Sequence, residues 1–98
     1  MYIFTSYCEV FGLTTIEAMS QNCPIIVSNT SALKEINGEA ADYFDPDNIY
    51  EIKNLIKKNI LYENGIKLIA KSKNHYQKYN WKKCVSETLS KICNININ

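Results

Sequence analysis

Ile25, Ile26 and Val27 form an unbroken apolar run, opened by Pro24 and closed by Ser28, that restricts the fold more than any other stretch of the chain. β-branched residues in succession leave no polar face, so a strand built from them belongs inside a parallel sheet, covered on both sides. Parallel strands need a crossover, and the preceding residues supply one. Tyr2-Ile3-Phe4-Thr5 reads as a buried strand, followed by a polar loop that ends at Gly12. Leu13, Ile16 and Met19 then recur at helical spacing along Leu13–Ser20. Asn22 stops that helix, because Asn tolerates the left-handed conformation, and Pro24 blocks any continuation. Strand, helix and strand between residues 2 and 28 make a βαβ unit with an expected right-handed crossover.

Downstream, Ser31 is placed to cap a short helix running through Glu35 and ended by Asn37-Gly38, and Ala41–Phe44 reads as a third short strand before the turn Asp45-Pro46-Asp47. The remainder is helical. Asp47 or Asn48 caps a helix whose Ile49, Ile52, Leu55, Ile56 and Ile60 lie on one stripe, with Lys53, Lys57 and Lys58 opposite. A second helix runs from about Glu63 to about Tyr79, with Ile66, Ile69 and Ala70 inward. A third carries Trp81, Cys84, Val85, Thr88 and Ile92 at helical spacing, and Asn94–Asn98 should fray. A chain of 98 residues makes one domain, too small for a two-domain cleft. The expected fold class is α/β: a partial Rossmann-like parallel sheet in residues 1–47 and helices in 48–98.

Charge divides at the same place. Residues 1–47 carry a net −6 and residues 48–98 a net +7, and every cation among them is Lys. Without Arg the chain lacks the planar fork that clamps phosphate bidentately, so a bound anion must rely on Lys or on backbone N–H groups. Lysines spread around helices read as solvated faces, which disfavours nucleic acid and leaves peripheral contact with an anionic membrane as the lesser reading. Cys8, Cys23, Cys84 and Cys93 form no C-x-x-C pair and no zinc spacing, and read as buried free thiols of a reducing compartment. The lone His75 has no evident co-ligand and is assigned to a helix surface, and Trp81 to packing. No basic leader or membrane-length apolar run is present, which suits a cytoplasmic protein.

The chemistry concentrates in residues 6–28. Glu9 and Glu17 bracket Phe11-Gly12-Leu13, at the end of a strand and the start of a helix. In an open α/β sheet, ligands bind outside the carboxyl ends of strands, where helix N-termini aim unpaired N–H groups at anions. Two carboxylates would repel a phosphate, so they should flank an anion held by the amides of Gly12, Leu13 and Thr14. A ligand with hydroxyls on both sides of a charged centre fits this layout: a nucleotide diphosphate sugar, its sugar on one glutamate and its ribose on the other. Singly, Glu9 reads as a solvated loop carboxylate and Glu17 as a helix-start carboxylate; their joint spacing around Gly12 favours binding. A glycosidase acid/base pair fits less well, because both glutamates border one anion-binding helix start. The scheme requires no metal and no other cofactor.

At these residues the sequence resembles a known family. Ser6-x-x-Glu9-x-Phe11-Gly12-Leu13-x-x-x-Glu17-Ala18-Met19, then Pro24–Ser28, Glu35-Ile36-x-Gly38 and Phe44-Asp45-Pro46, look like the retaining family-four glycosyltransferases of GT-B fold, including their E-x(7)-E motif. The resemblance implies transfer of a sugar from a nucleotide diphosphate donor to a hydroxyl acceptor, a sugar or lipid-linked sugar, in polysaccharide or glycolipid synthesis. It implies that Glu9, the catalytic assignment, contacts hydroxyls of the donor sugar near the reacting carbon. It gives Glu17 the ribose, and gives Phe11, Gly12 and Leu13 the backbone contacts to sugar and diphosphate. The last helix, opening at Trp81, resembles the end of such enzymes, where the chain returns toward an N-terminal acceptor domain. Departures are Asn22 where the family usually has Gly, Thr5 where many members have Pro, and the lack of the upstream basic residues that clamp the diphosphate. The chain would then be the last quarter or so of a full enzyme, inactive alone. The alternative is a truncated remnant or small nucleotide-sugar-binding module without turnover.

Overall fold

A computed structural model describes residues 1–30 and 32–93. Its centre is the apolar run itself. Strand β2 (Ile25–Ser28) lies between β1 (Tyr2–Phe4) and β3 (Ala41–Phe44) in a three-stranded parallel sheet ordered β1-β2-β3. Ile3 pairs with Ile26, and Ile26 with Asp42. All four β2 side chains are fully buried, as a central strand covered on both faces requires. Alternation sends Ile25 and Val27 into a cluster with Ile16, Met19, Ala40 and Ala41, and turns Ile26 and Ser28 to the opposite face. β1 is less covered than the sequence suggests: Tyr2 and Phe4 are half-buried and Ile3 is exposed, because an edge strand lacks a neighbour on one side.

Helix α1 (Leu13–Ser20) crosses from β1 to β2 and buries Thr15, Ile16 and Met19. Leu13, expected inward, is about half exposed, so the buried face begins at Thr15 instead. Asn22 holds a φ of 55°, the left-handed stop read from the sequence. Helix α2 (Leu33–Asn37) passes through a 3₁₀ turn at Gly38–Ala40 into β3. The capping role expected of Ser31 and the fraying expected of Asn94–Asn98 lie outside the described residues.

Helix α3 (Ile49–Ile60) is capped by Asn48, whose side-chain carbonyl accepts from the amides of Tyr50 and Glu51. Its apolar stripe is buried only in the middle. Ile52, Leu55 and Ile56 are half-buried, whereas Ile49 and Ile60 at the two ends are exposed, and Asn59 is buried in their place. Helix α4 (Tyr62–His75) inserts Gly65, Leu68 and Ser72, and leaves Ile66 and Ala70 exposed, contrary to the expected stripe. The inward face carries the small residues: a Cβ at Gly65 would stand 3.4 Å from the Asn59 carbonyl oxygen and 3.5 Å from Pro24 Cγ, ordinary contact distances.

Helix α5 (Trp81–Cys93) follows a 3₁₀ turn at Tyr76–Lys78 and buries no residue. Trp81, Val85, Leu89 and Ile92 are all exposed, so Trp81 does not have the packing role expected of it. The helix extends the molecule to a radius of gyration of 15.5 Å, against roughly 13 Å for a compact domain of about a hundred residues. The thiols are free, but Cys8, Cys84 and Cys93 are exposed and Cys23 is half-buried, because three of them lie on a surface loop and on a helix that buries no residue.

Candidate functional site

The carboxyl ends of β1 and β2 present two segments to one side of the sheet: the loop from Thr5 to Gly12, and the chain leaving β2 at Asn29 and Thr30. Gly12 joins the loop to α1 at φ 79° and ψ 51°. Only glycine takes this left-handed conformation without steric cost. It is also buried: a Cβ added there would lie 2.7 Å from Leu33 Cδ2 and 3.6 Å from Phe4 Cε1.

Past this turn α1 begins with no acidic residue in its first turn and no side-chain cap. The Thr15 amide is satisfied by the Gly12 carbonyl at 3.0 Å. Among the described residues no hydrogen bond engages the Leu13 or Thr14 amides, the orphan donors of a helix start. The Thr14 hydroxyl accepts from Tyr2 at 2.8 Å. Glu17 lies on the second turn of α1 and is exposed, while Glu9 lies on the loop and is half-buried. Neither carboxylate has a hydrogen-bond or ion-pair partner among the described residues. Phe11 is half-buried, with its ring edge-on to Tyr79 at 5.2 Å and 88°. The structure thus brings Phe11, Gly12, Leu13, Thr14 and Glu17 together at one helix start, with Glu9 on the loop that leads into it. Glu35 is an exposed residue of α2, and Asp45 accepts from the Asp47 amide in the turn read from the sequence.

Several polar residues that shape this region are inconspicuous in the sequence. Ser28 donates to the Ser6 carbonyl, and Thr30 donates to the same oxygen at 2.9 Å. The Thr15 hydroxyl lies 2.8 Å from the Gly12 carbonyl and 2.7 Å from Asn37 Oδ1, and Asn37 Nδ2 donates to the Leu33 carbonyl. Thr15, Ser28 and Asn37 are all fully buried. The available signal was the hydroxyl of Ser28 at the end of a strand covered on both faces, since a buried polar group must find a partner. Tyr7 donates to Asp47 Oδ1 at 2.6 Å, and that hydrogen bond, with the carboxylate's charge, raises the Tyr7 pKa.

His75, assigned to a helix surface from the sequence, is half-buried. Its Nε2 lies 2.6 Å from the Ile36 carbonyl, which also accepts from the Tyr79 hydroxyl at 3.0 Å, so the end of α4 is tied to α2. Burial, followed by the charge of Glu35, raises the Tyr79 pKa. Among the described residues no three His, Cys, Asp or Glu side chains gather as a metal site, and no helix is long and apolar enough to cross a membrane.

Comparison with known proteins bears on this arrangement. The family model for glycosyl transferases group 1 matches residues 1–83. The O-antigen chain mannosyltransferase B of Escherichia coli is 30% identical to the chain over 91 residues, which cover 91% of this chain and 24% of that protein. The chain therefore spans about a quarter of the length of this relative. No solved structure matches.

Proposed function

The chain belongs to the group 1 glycosyl transferases, and from that premise we propose that it supplies the donor-binding part of a retaining transferase of GT-B fold. The observation that carries this reading is the start of α1: Leu13 and Thr14 amides unengaged among the described residues, behind a buried left-handed glycine, with two carboxylates that have no partner among those residues, Glu9 on the incoming loop and Glu17 one turn into the helix. The ligand is a nucleotide diphosphate sugar. Its diphosphate takes the amides of Gly12, Leu13 and Thr14, Glu17 accepts from the ribose hydroxyls, and Glu9 accepts from hydroxyls of the sugar. As the glycosidic bond to the diphosphate breaks, negative charge grows on the leaving oxygen, and amides already aimed at it stabilise that charge without reorganising.

The acceptor is a hydroxyl of a sugar or lipid-linked sugar, consistent with the O-antigen named for the relative, whose mannosyl transfer makes mannose nucleotides the first donors to try. The acceptor site and the cationic clamp for the diphosphate belong to a further domain. The exposed stripe of α5, Trp81, Val85, Leu89 and Ile92, suits contact with that domain. Alone, the chain binds donor without transferring it.

Calorimetric titration of the chain with nucleoside diphosphates tests the reading. Glu17→Ala removes charge-assisted hydrogen bonds and should weaken binding by about tenfold or more. Equal affinity in the variant would remove the ribose assignment. A wild-type chain that binds no nucleoside diphosphate would favour the non-binding remnant.

A further inference from the structure

The loop from Ser6 to Gly12 is held at both ends by its backbone carbonyls. At the β1 end the Ser6 oxygen accepts from Ser28 and from Thr30, the latter at 2.9 Å, so both lone pairs are used. At the α1 end the Gly12 oxygen accepts the Thr15 amide at 3.0 Å, and the Thr15 hydroxyl stands 2.8 Å from it. Asn37 Oδ1 stands 2.7 Å from the same hydroxyl, whose single proton goes to one of the two oxygens, and Asn37 Nδ2 donates to the Leu33 carbonyl at 2.8 Å. Two further ties act inside these ends: Tyr7 on Asp47, and Phe11 against Tyr79. What remains between them is Cys8-Glu9-Val10, with Val10 exposed to 92%.

We propose that Ser28 with Thr30, and Thr15 with Asn37, are positioning residues: they fix the two ends of the loop so that the tripeptide carrying Glu9 is presented to the donor sugar in one conformation. The inference rests on the donor-binding reading and deepens it. Ser28, Thr15 and Asn37 are fully buried; Ser28 and Thr30 act on the Ser6 carbonyl, the Thr15 hydroxyl lies against the Gly12 carbonyl, and Asn37 acts through Thr15. Burial of three of the four gives the arrangement its stiffness, since a hydroxyl shut away from water keeps to the few acceptors the fold offers it. The Ser6 hydroxyl donates to the Cys8 carbonyl at 3.1 Å, which couples the Ser6 end to the tripeptide beside it.

The test uses the full chain with backbone amides labelled for NMR. Order parameters for Cys8, Glu9 and Val10 should sit near the rigid-backbone value of about 0.85 in the wild type and fall toward about 0.6 in Ser28→Ala and in Thr30→Val. Those of Ile26 and Val27 should not change, and Thr30→Ser, which keeps the hydroxyl, should restore the loop. Thr30→Val is the second variant because Thr30 is only half-buried and a near-isosteric change there leaves the core intact. The same variants should lose the extra affinity that a nucleotide diphosphate sugar has over the bare nucleoside diphosphate, by about tenfold, while keeping the affinity for the bare diphosphate. General loss of folding would not produce that split. Unchanged loop order parameters in both variants would overturn the inference whatever the wild type binds. A wild type that binds no nucleoside diphosphate would instead defeat the functional reading, and the inference with it.

Discussion

Gly12→Ala should be among the most damaging single-methyl changes available to this chain, and Gly65→Ala among the most harmless. At Gly12 the backbone holds a φ of +79°, and the new Cβ would lie 2.7 Å from Leu33 Cδ2. An alanine in the left-handed region costs about 1–2 kcal/mol. The contact with Leu33, which is fully buried, adds an overpacking cost of roughly 1–2 kcal/mol. The sum, near 2–4 kcal/mol, is a large part of the roughly 5–10 kcal/mol expected for a chain of this size. At Gly65 the backbone is helical and the added Cβ meets its neighbours at 3.4 Å and 3.5 Å, ordinary contact distances. Alanine is there the better helix former by up to about 1 kcal/mol. Urea unfolding followed by far-ultraviolet circular dichroism compares the two. Gly12→Ala should lower the midpoint by about 1–2 M, using a denaturant slope of roughly 1.5–2 kcal/mol per M, and Gly65→Ala should leave it equal or slightly raised. A Gly12→Ala midpoint within error of the Gly65→Ala midpoint would refute the buried left-handed turn on which the site is built.

Two further outcomes follow from buried polar groups. Burial, with help from the Asp42 charge, pushes the Tyr43 pKa up to about 12. A folded-state pKa above the unfolded value of about 10 contributes stability that is complete below that value and is lost as pH rises from 10 through 12. Urea midpoints should therefore fall over that window, and Tyr43→Phe should flatten the fall; an unaltered pH profile in the variant would contradict this. Asp42→Ala should cost about 1–3 kcal/mol, because Asn59 Nδ2 donates to Asp42 Oδ2 at 2.9 Å and is buried, whereas the Lys58 contact at 3.1 Å to the same oxygen is more exposed and contributes little. Lys58→Ala, measured by the same unfolding curves, should be nearly neutral, and equal costs for the two variants would argue against the buried amide.

The parallel sheet was legible because its signals are local and redundant. A β-branched run with no polar face, a helix of the right length before it, and Asn22 and Pro24 at the junction all pointed one way. The glutamates, Gly12 and the α1 start were legible for the same reason, since their spacing along one segment survives folding. Helix faces were harder to read. In α4 the inward side follows Gly65 and Ser72, whose small size lets other elements approach, and apolar periodicity alone favoured Ile66 and Ala70. His75 and Trp81 departed from their expected places because each depends on what lies across from it: the Ile36 carbonyl for the first, and for the second an open groove shared with Phe11, Leu13 and Tyr79 that leaves it exposed. The ties of Ser28 and Thr30 to Ser6, and of Asn37 to Thr15, join positions more than twenty residues apart, where no sequence window shows them together.

Donor binding at the start of α1 is tested most directly by amide chemical shifts during titration with a panel of nucleoside diphosphates and nucleotide diphosphate sugars. Perturbations should concentrate at Gly12, Leu13 and Thr14, extend to Glu17 with the bare diphosphate, and reach Glu9 only when the sugar is present. Shifts confined to the lysine-bearing helices α3 and α4, with the Gly12 and Leu13 amides unmoved at saturation, would contradict the account.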